Sequence, residues 1–352
     1  MEFTGIVPYM VKSIGAIAGS NDPQIKIDPV GFLEMLLDYS PQIQQPEVRD
    51  GECRDLRIRY MPRACDSTFD TYTCDADPMG GWKEQVIPSL HLTGASVRID
   101  FSTLCKLQRE AMQPEMVGNP AAEGWRILWA VMRTKINDIL ATMDKYLLAQ
   151  QNLAWGNNVA YDPVTNDAQT ISFSKTQGMT DGIVRLITDA QTNNITATNF
   201  PIVGNGAVNN FQIWNQLKSS TDFMGFSRQS LNVYNDIYST SIWGVNHFGV
   251  FEPGTIGLIQ ISKYGSMVQR DWGDQFYFSF PVQLSSGRTL WFDAMLKRDG
   301  CPEPALNLII SKNYQLWNMP NDVYNTCDRM SGYNGSLHYV GVNEDCVKVC
   351  SV

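Results

Sequence analysis

The sequence predicts an α+β fold, one unusually long helix set among mostly extended segments. Two stretches carry this expectation. From Trp125 to Trp155 there is no Gly or Pro, and Trp125, Leu128, Met132, Ile136, Ile139, Met143 and Leu147 recur at steps of three and four. That spacing keeps one face of a helix buried. Far downstream, Phe276, Phe278, Phe280, Val282 and Leu284 alternate with period two, Ser285-Ser286-Gly287 offers a turn, and Leu290, Phe292, Ala294 and Leu296 alternate back. This is the pattern of a β-hairpin with one buried face.

In chain order, residues 1–52 read as an arm with little core of its own. One short helix is expected after Asp28-Pro29, using Phe32, Met35, Leu36 and Leu37, with Pro41 and Pro46 preventing anything longer. Such a segment has to lie against something else. Over 53–103, Leu56-Arg57-Ile58-Arg59-Tyr60 alternates as a half-buried strand does, Thr68–Thr73 offers a second β-like run, and Asp75–Gly81 is a turn-rich tip. Val86–Leu92 and Ala95–Phe101 return as extended segments. An excursion of this length points to contact with a partner. Residues 102–118 form a helical or irregular lead-in.

The long helix is expected over 119–155. Asn119 supplies a capping side chain, Pro120 suits the first helical position, and Gly156-Asn157-Asn158 stops it. Its length is roughly 50 Å at about 1.5 Å per residue, several times that of a typical globular helix. A polar run follows. Thr180 can then cap a helix bearing Ile183, Leu186, Ile187 and Ala190, and Gly204-Asn205-Gly206 precedes further helical pattern through Phe211, Trp214 and Leu217. Asn232–Trp243 fits a helix or a strand. Phe251–Gly257 reads as a strand, a Pro-Gly turn and another strand into Leu258–Ile261, and Leu306–Ile310 supplies a last core strand. Residues 318–352 read as a polar tail. No repeat or linker divides the chain, so spine and sheet are expected to pack as one unit.

Composition narrows the function classes. The 352 residues are 43% apolar and 18% charged, an ordered globular composition. The net charge of −9 argues against a chain whose main work is gripping nucleic acid. Arg54, Arg57, Arg59 and Arg63 are the only dense basic set, and they suit the wet face of a strand. No apolar run reaches the roughly 18 residues that span a membrane. Glu2, Pro8 and Lys12 disagree with a signal peptide, so a chain made and kept in a cytoplasm is expected.

Motifs for catalysis are missing. His91, His247 and His338 are the only histidines, none in an H-x-x-x-H or H-x-x-E arrangement. Each is read as a structural histidine. There is no G-x-S-x-G, P-loop or G-x-G-x-x-G. The eight cysteines, Cys53, Cys65, Cys74, Cys105, Cys301, Cys327, Cys346 and Cys350, include no C-x-x-C. They are read as reduced thiols, with late-formed disulfides and a zinc site from Cys327, His338, Cys346 and Cys350 as alternatives. Asp271-Trp272-Gly273-Asp274 offers two carboxylates where calcium needs several oxygens, so surface acids are the preferred reading there. Trp125, Trp129 and Trp291 fall on helix or strand positions, which favours core packing over carbohydrate stacking. No catalytic, cofactor-binding or metal residue is assigned, and no enzymatic activity is expected.

The order of these elements resembles the major capsid proteins of tailed bacteriophages, the family with the HK97-like fold. The resemblance covers about the first 310 residues as architecture and rests on the arm, the excursion, the spine, Phe251-Glu252-Pro253-Gly254-Thr255-Ile256-Gly257 and the alternating hairpin. It implies an N-terminal arm over 1–52, an extended loop over 53–103, and a peripheral domain over 104–179 containing the spine helix 119–155. An axial domain over 180–260, the peripheral sheet over 261–317 and a C-terminal tail over 318–352 complete the assignment.

The resemblance implies a homo-oligomer built of pentamers and hexamers in an icosahedral shell around double-stranded DNA. Also implied are a separate scaffolding protein, a portal, decoration or auxiliary proteins, non-specific contact with packaged DNA and no membrane. The place of action would be the virion, assembled in the host bacterial cytoplasm. Some family members cross-link through lysine and asparagine. Lys83 is only a positional candidate, and that chemistry is not carried over. The long tail and its cysteines depart from the family pattern. A tail, portal or attachment component of a phage and a carbohydrate-binding protein are the alternative readings. A shell subunit forms closed particles, the phage alternatives form tubes, rings or fibres, and a lectin loses glycan binding when one exposed Trp is changed to Ala.

Overall fold

The computed structural model describes residues 9–10, 13, 27, 31–39, 56–60, 83–87, 90–94, 96–116, 119, 122–155, 170–174, 201–205, 232–245, 247–262, 264, 269–270, 275–284, 286–299, 305–318 and 335–342. In chain order the elements are helix α1 (Gly31–Tyr39) and strands β1 (Leu56–Tyr60), β2 (Lys83–Ile87), β3 (Leu90–Thr93) and β4 (Val97–Ile99). Helix α2 (Phe101–Ala111), a 3₁₀ turn (Pro114–Met116) and helix α3 (Glu123–Ala154) come next. Then follow β5 (Thr170–Ser174), β6 (Pro201–Gly204), β7 (Asn232–Asn235), the short helix α4 (Ser239–Ile242) and β8 (His247–Phe251). The chain ends with β9 (Ile256–Ile261), β10 (Gln269–Arg270), β11 (Gln275–Gln283), β12 (Thr289–Asp299), β13 (Ala305–Asn318) and β14 (Ser336–Val342). Long helix and antiparallel sheet together make the fold α+β, as the periodicities predict.

The spine is α3, 32 residues and about 48 Å long at the helical rise. Its buried face holds Trp125, Leu128, Met132, Ile136, Ile139, Leu140, Met143, Leu147 and Leu148, which contains the predicted stripe. It starts at Glu123, later than the predicted Asn119. The residue preceding it, Ala122, has no capping side chain. The cap comes from α2, where the buried Glu110 takes the Gly124 N–H on Oε1 at 2.7 Å and the Trp125 N–H on Oε2 at 3.2 Å. A carboxylate satisfies the second and third orphan amides and meets the positive end of the helix dipole. Tyr9 of the arm donates its hydroxyl to Glu110 Oε2 at 3.1 Å. Burial and the adjacent carboxylate push that phenol up to about 12. The helix α2 is capped locally, its Thr103 N–H donating to Asp100 Oδ1 at 3.1 Å.

Strand β13 organises the main sheet. On one edge it pairs antiparallel with β12 over Ala305–Ser311 and then with β9 over Asn313–Asn318. On the other it pairs with β4 and then with β3. The predicted hairpin is β11–β12, with Phe280 opposite Phe292, and β10 adds an edge. Its inward rows, Phe278, Phe280, Val282, Leu284, Leu290, Phe292, Ala294 and Leu296, form one core with the spine stripe. Gly94 lies between the two layers. A Cβ there would come within 2.6 Å of Ile139 Cδ1 and 2.8 Å of the Ile310 carbonyl.

Where β12 leaves β13 and β9 takes its place, freed backbone groups need partners. Gln260 supplies two, taking the Trp291 N–H on Oε1 at 2.9 Å and donating Nε2 to the Thr289 carbonyl at 3.1 Å. The fully buried Lys312 donates Nζ to the Trp291 carbonyl at 2.7 Å and to Gln260 Oε1 at 3.0 Å. Burial lowers its ammonium to about 7, partly offset by the Asp293 carboxylate.

The second sheet has the order β5-β14-β8-β6-β7. The Glu252–Thr255 turn, with Gly254 at φ 81°, carries the chain from β8 in this sheet to β9 in the main one. The predicted strand–turn–strand is present, and its strands serve different sheets. Three further expectations are corrected. The excursion drawn over 53–103 divides, for β1 and β2 form a separate two-stranded ribbon while β3 and β4 are strands of the main sheet. Val97 and Ile99 alternate inward around Arg98, which buries them. The expected polar tail over 318–352 contains β14, an interior strand of the second sheet between β5 and β8, whose Leu337, His338 and Tyr339 are buried. Asn232–Trp243 is neither one helix nor one strand but β7 followed by α4. The expected helices around 183–190 and 211–217 lie outside the described residues.

Glu110→Ala leaves two helix-start amides without their acceptor in a buried setting. The expected loss is about 2–4 kcal/mol of unfolding free energy, read by denaturant unfolding, while Glu110→Gln, which keeps one acceptor oxygen, loses less.

Candidate functional site

The residues weighed for chemistry separate in the fold. His91 is on β3 and ends a polar row crossing four strands: Ser279 donates to Asp293, Asn313 Nδ2 donates to the other Asp293 oxygen, and His91 Nδ1 meets Asn313 Oδ1. Thr93 Oγ1 lies 2.7 Å from His91 Nε2. Every member is held by its neighbour, so the row ties strands together.

His247 and His338, ninety-one positions apart, are brought together. Nδ1 of His247 lies 3.1 Å from Nε2 of His338. The His338 ring stacks on Trp155 with centroids 4.4 Å apart and planes at 8°. Burial first, and the neighbouring His247 second, lower His338 to about 3, and burial lowers His247. Two neutral imidazoles with one N–H between them pack as an aromatic pair. Beside them, Ser336 Oγ accepts from Gln151 Nε2 and Trp155 Nε1, each at 2.9 Å. Trp243 Nε1 donates to the Leu148 carbonyl at 3.0 Å. These bonds fasten the last turns of the spine to β14 and α4.

Among the described residues no group of three or more His, Cys, Asp or Glu could hold a metal ion. Cys327, Cys346 and Cys350, the other members of the zinc alternative, lie outside the described residues, as do Asp271 and Asp274. Cys105 is a half-buried free thiol on α2. Trp125 and Trp129 are packed in the core, stacked at 6.0 Å. Trp291 is half-buried with its backbone held by Gln260 and Lys312. Asn205, just after β6, donates to Thr240 Oγ1 of α4 at 2.8 Å. Among the described residues, no helix is long and apolar enough to cross a membrane.

What remains is a set of surfaces. The ribbon β1–β2 runs in register from Leu56 opposite Ile87 to Tyr60 opposite Lys83. Its foot is tied to the far end of β13, with Gln85 Nε2 donating to the Asn318 carbonyl at 3.0 Å and Gln315 Nε2 to the Ile87 carbonyl at 3.3 Å. Within that tie Val86 is 51% exposed, and next to it Arg57 pairs with Glu84 at 3.2 Å in solvent. Lys83, the positional cross-link candidate, is exposed at the start of β2. The outer face of the spine shows Ile127, Val131, Tyr146 and Leu153.

The arm is seated on the spine. Tyr9 and Met10 are buried, Tyr9 bonding Glu110 at the N-terminal end of α3, and α1 packs Phe32, Leu33, Met35 and Leu36 into the core. Sequence reasoning missed the polar residues that hold this contact, Glu110, Asp144 and Asp236. For Asp144 a signal existed, because it follows Ile136 and Leu140 at steps of four on the buried face. Glu110 carried a similar signal, following Leu104 and Leu107 at steps of three on the buried face of α2, while Asp236 sits in the turn between β7 and α4 with no such pattern.

No family model and no curated protein matches the chain. Solved structures similar to it include one from Mycobacterium phage Bobi, at 8% identity over 92% of this chain and 95% of that one, with a TM-score of 0.46. The capsid structure of the cyanophage P-SCSP1u is similar at 11% identity over 84% and 86%, with a TM-score of 0.43. The virus-like particle from Pyrococcus furiosus is similar at 9% identity over 92% and 98%, with a TM-score of 0.37.

Because His338 stays neutral in the fold, its contribution to stability is complete above the unfolded value near 6.5 and is lost as pH falls toward about 3. Unfolding free energy is expected to drop by about 1.4 kcal/mol per pH unit from this group in that window. His338→Phe, which keeps the stack on Trp155, flattens the curve between pH 6 and 4 in denaturant titrations.

Proposed function

We propose that this chain is a structural shell subunit with the HK97-like arrangement, assembling into pentamers and hexamers of an icosahedral phage capsid that encloses double-stranded DNA. The observation that carries the reading is the ribbon β1–β2, a two-stranded sheet separate from the other two, with Gln85 and Ile87 of β2 tied to the far end of β13. Two strands alone are marginal in water, and a partly exposed ribbon is suited to burying its surface on a neighbour. The rod supplies rigidity, and many copies in a closed shell sum modest contacts into a stable whole. In this reading the main sheet with the spine belongs to the peripheral domain, residues 180–260 to the axial domain and residues 1–52 to the arm. The acidity of the chain fits DNA held by confinement and counterions without sequence readout. A separate scaffolding protein, a portal and decoration proteins belong to the same reading, as do residence in the virion and assembly in the host bacterial cytoplasm. It includes no enzymatic step.

Sedimentation velocity tests this on the purified chain and on Val86→Asp. Val86 is half exposed in the lone chain, so the change is expected to leave thermal unfolding within about 0.5 kcal/mol of wild type. Wild type is expected to sediment as multi-subunit species and the variant to shift toward monomer. Wild type that remains monomeric at all concentrations, alone and with a candidate scaffold, overturns the reading.

A further inference from the structure

Helix α1 meets the rest of the molecule through two buried acids. The Leu33 N–H donates to Asp144 Oδ1 of the spine at 3.0 Å, and the Phe32 N–H donates to Asp236 Oδ2 from the β7–α4 turn at 2.9 Å. Both carboxyls have no exposed surface. The fit is close, since a Cβ on Gly31 would come within 2.5 Å of the Asn235 carbonyl oxygen and 2.8 Å of Asp236 Cα.

The two acids are unequally supported. Asp236 also takes the Tyr238 N–H at 2.8 Å and the Ser239 N–H at 3.0 Å on Oδ1, three amide donors in all with Phe32. Asp144 takes one, and its buried Oδ2 bonds no donor while the Asp236 carboxyl is its electrostatic neighbour. Two carboxylates cannot both stay ionised at such a site, and the one with fewer donors keeps the proton.

We propose that Asp144 and Asp236 form a proton-dependent latch that seats the arm helix on the spine. It is closed while the pair shares one proton and loosened when that proton is lost. The inference concerns the single chain and stands apart from the shell reading. Burial, followed by the adjacent Asp236, raises Asp144 well above the ordinary carboxylate range. The sign follows: docking is strongest below the ordinary carboxylate value, weakens progressively as pH rises through neutrality toward that elevated value, and changes no further above it. Other charges facing the site are accounted for. On α1, Glu34 is raised by burial and by Asp38, while Asp38 pairs with Arg288 at 3.2 Å and accepts from Tyr234 at 2.9 Å. On the spine, Lys145 places its ammonium over the Tyr238 ring at 4.5 Å.

Hydrogen exchange of α1 amides across pH 6 to 9.5, corrected for intrinsic rates and referred to spine amides 128–143, reads the latch locally. A local readout is needed because Lys312 changes protonation over part of the same range. In wild type, α1 is expected to lose at least tenfold protection relative to the spine as pH rises. Asp144→Asn imitates the protonated acid, its carbonyl accepting from Leu33 and its amide donating to Asp236, and is expected to stay protected throughout. Gly31→Ala, which pushes α1 off its seat, is expected to be unprotected at every pH. Wild-type α1 that follows the spine across the whole range overturns the proposal, as does Asp144→Asn losing protection in parallel with wild type.

Discussion

The constraint on which the rest of this structure depends is the burial of one long stripe on α3. A helix of 32 residues cannot hide that face against a single small element. The main sheet covers its middle, α2 and Tyr9 hold its start, and β14 with α4 holds its last turns. Apolar burial supplies most of the attraction but has no direction. Position along the rod is set by polar anchors spaced down it: Glu110 at the first amides, Asp144 under the arm, and Gln151 and Trp155 on Ser336. Each is buried, so each would be costly if its partner moved away.

The same logic governs the seam in the main sheet. Two strands share one edge of β13, and the gap between them would leave backbone groups of Thr289 and Trp291 unpaired. Gln260 and Lys312 fill it. A lysine on an inward position of an otherwise apolar row, between Ile310 and Tyr314, is the cost of joining two strand ends in one sheet. The chain changes sheets at the other end of β9, where the Gly254 turn brings it from β8 to Ile256 opposite Asn318.

Strong periodicity was legible in the sequence. The spine stripe and the β11–β12 hairpin stand where their spacing places them, because burial on one face leaves a pattern that no other feature imitates. The short arm helix was legible from Phe32, Met35 and Leu36. What could not be read were pairings between distant segments. Ser336–Val342 carried a local signal in the β-prone Leu337, Tyr339, Val340 and Val342, but it was overlooked among the surrounding Asn and Gly, and His338 is made core by its stack on Trp155. The true start of the spine was hidden because Glu110 caps it from another helix, so the local signal at Asn119 and Pro120 was misleading. Of the surfaces, the ribbon was foreseen as an excursion. Its boundary at Ile87 follows from the pairing of β3 and β4 with β13, a contact across more than two hundred residues.

The central claim is that a rod with a seated arm and a partly exposed ribbon is built to be completed by copies of itself. Electron microscopy of the purified full-length chain, alone and with a candidate scaffold, tests it most directly. The account predicts rings of five or six, sheets or closed shells. Uniform single subunits in both preparations would contradict it.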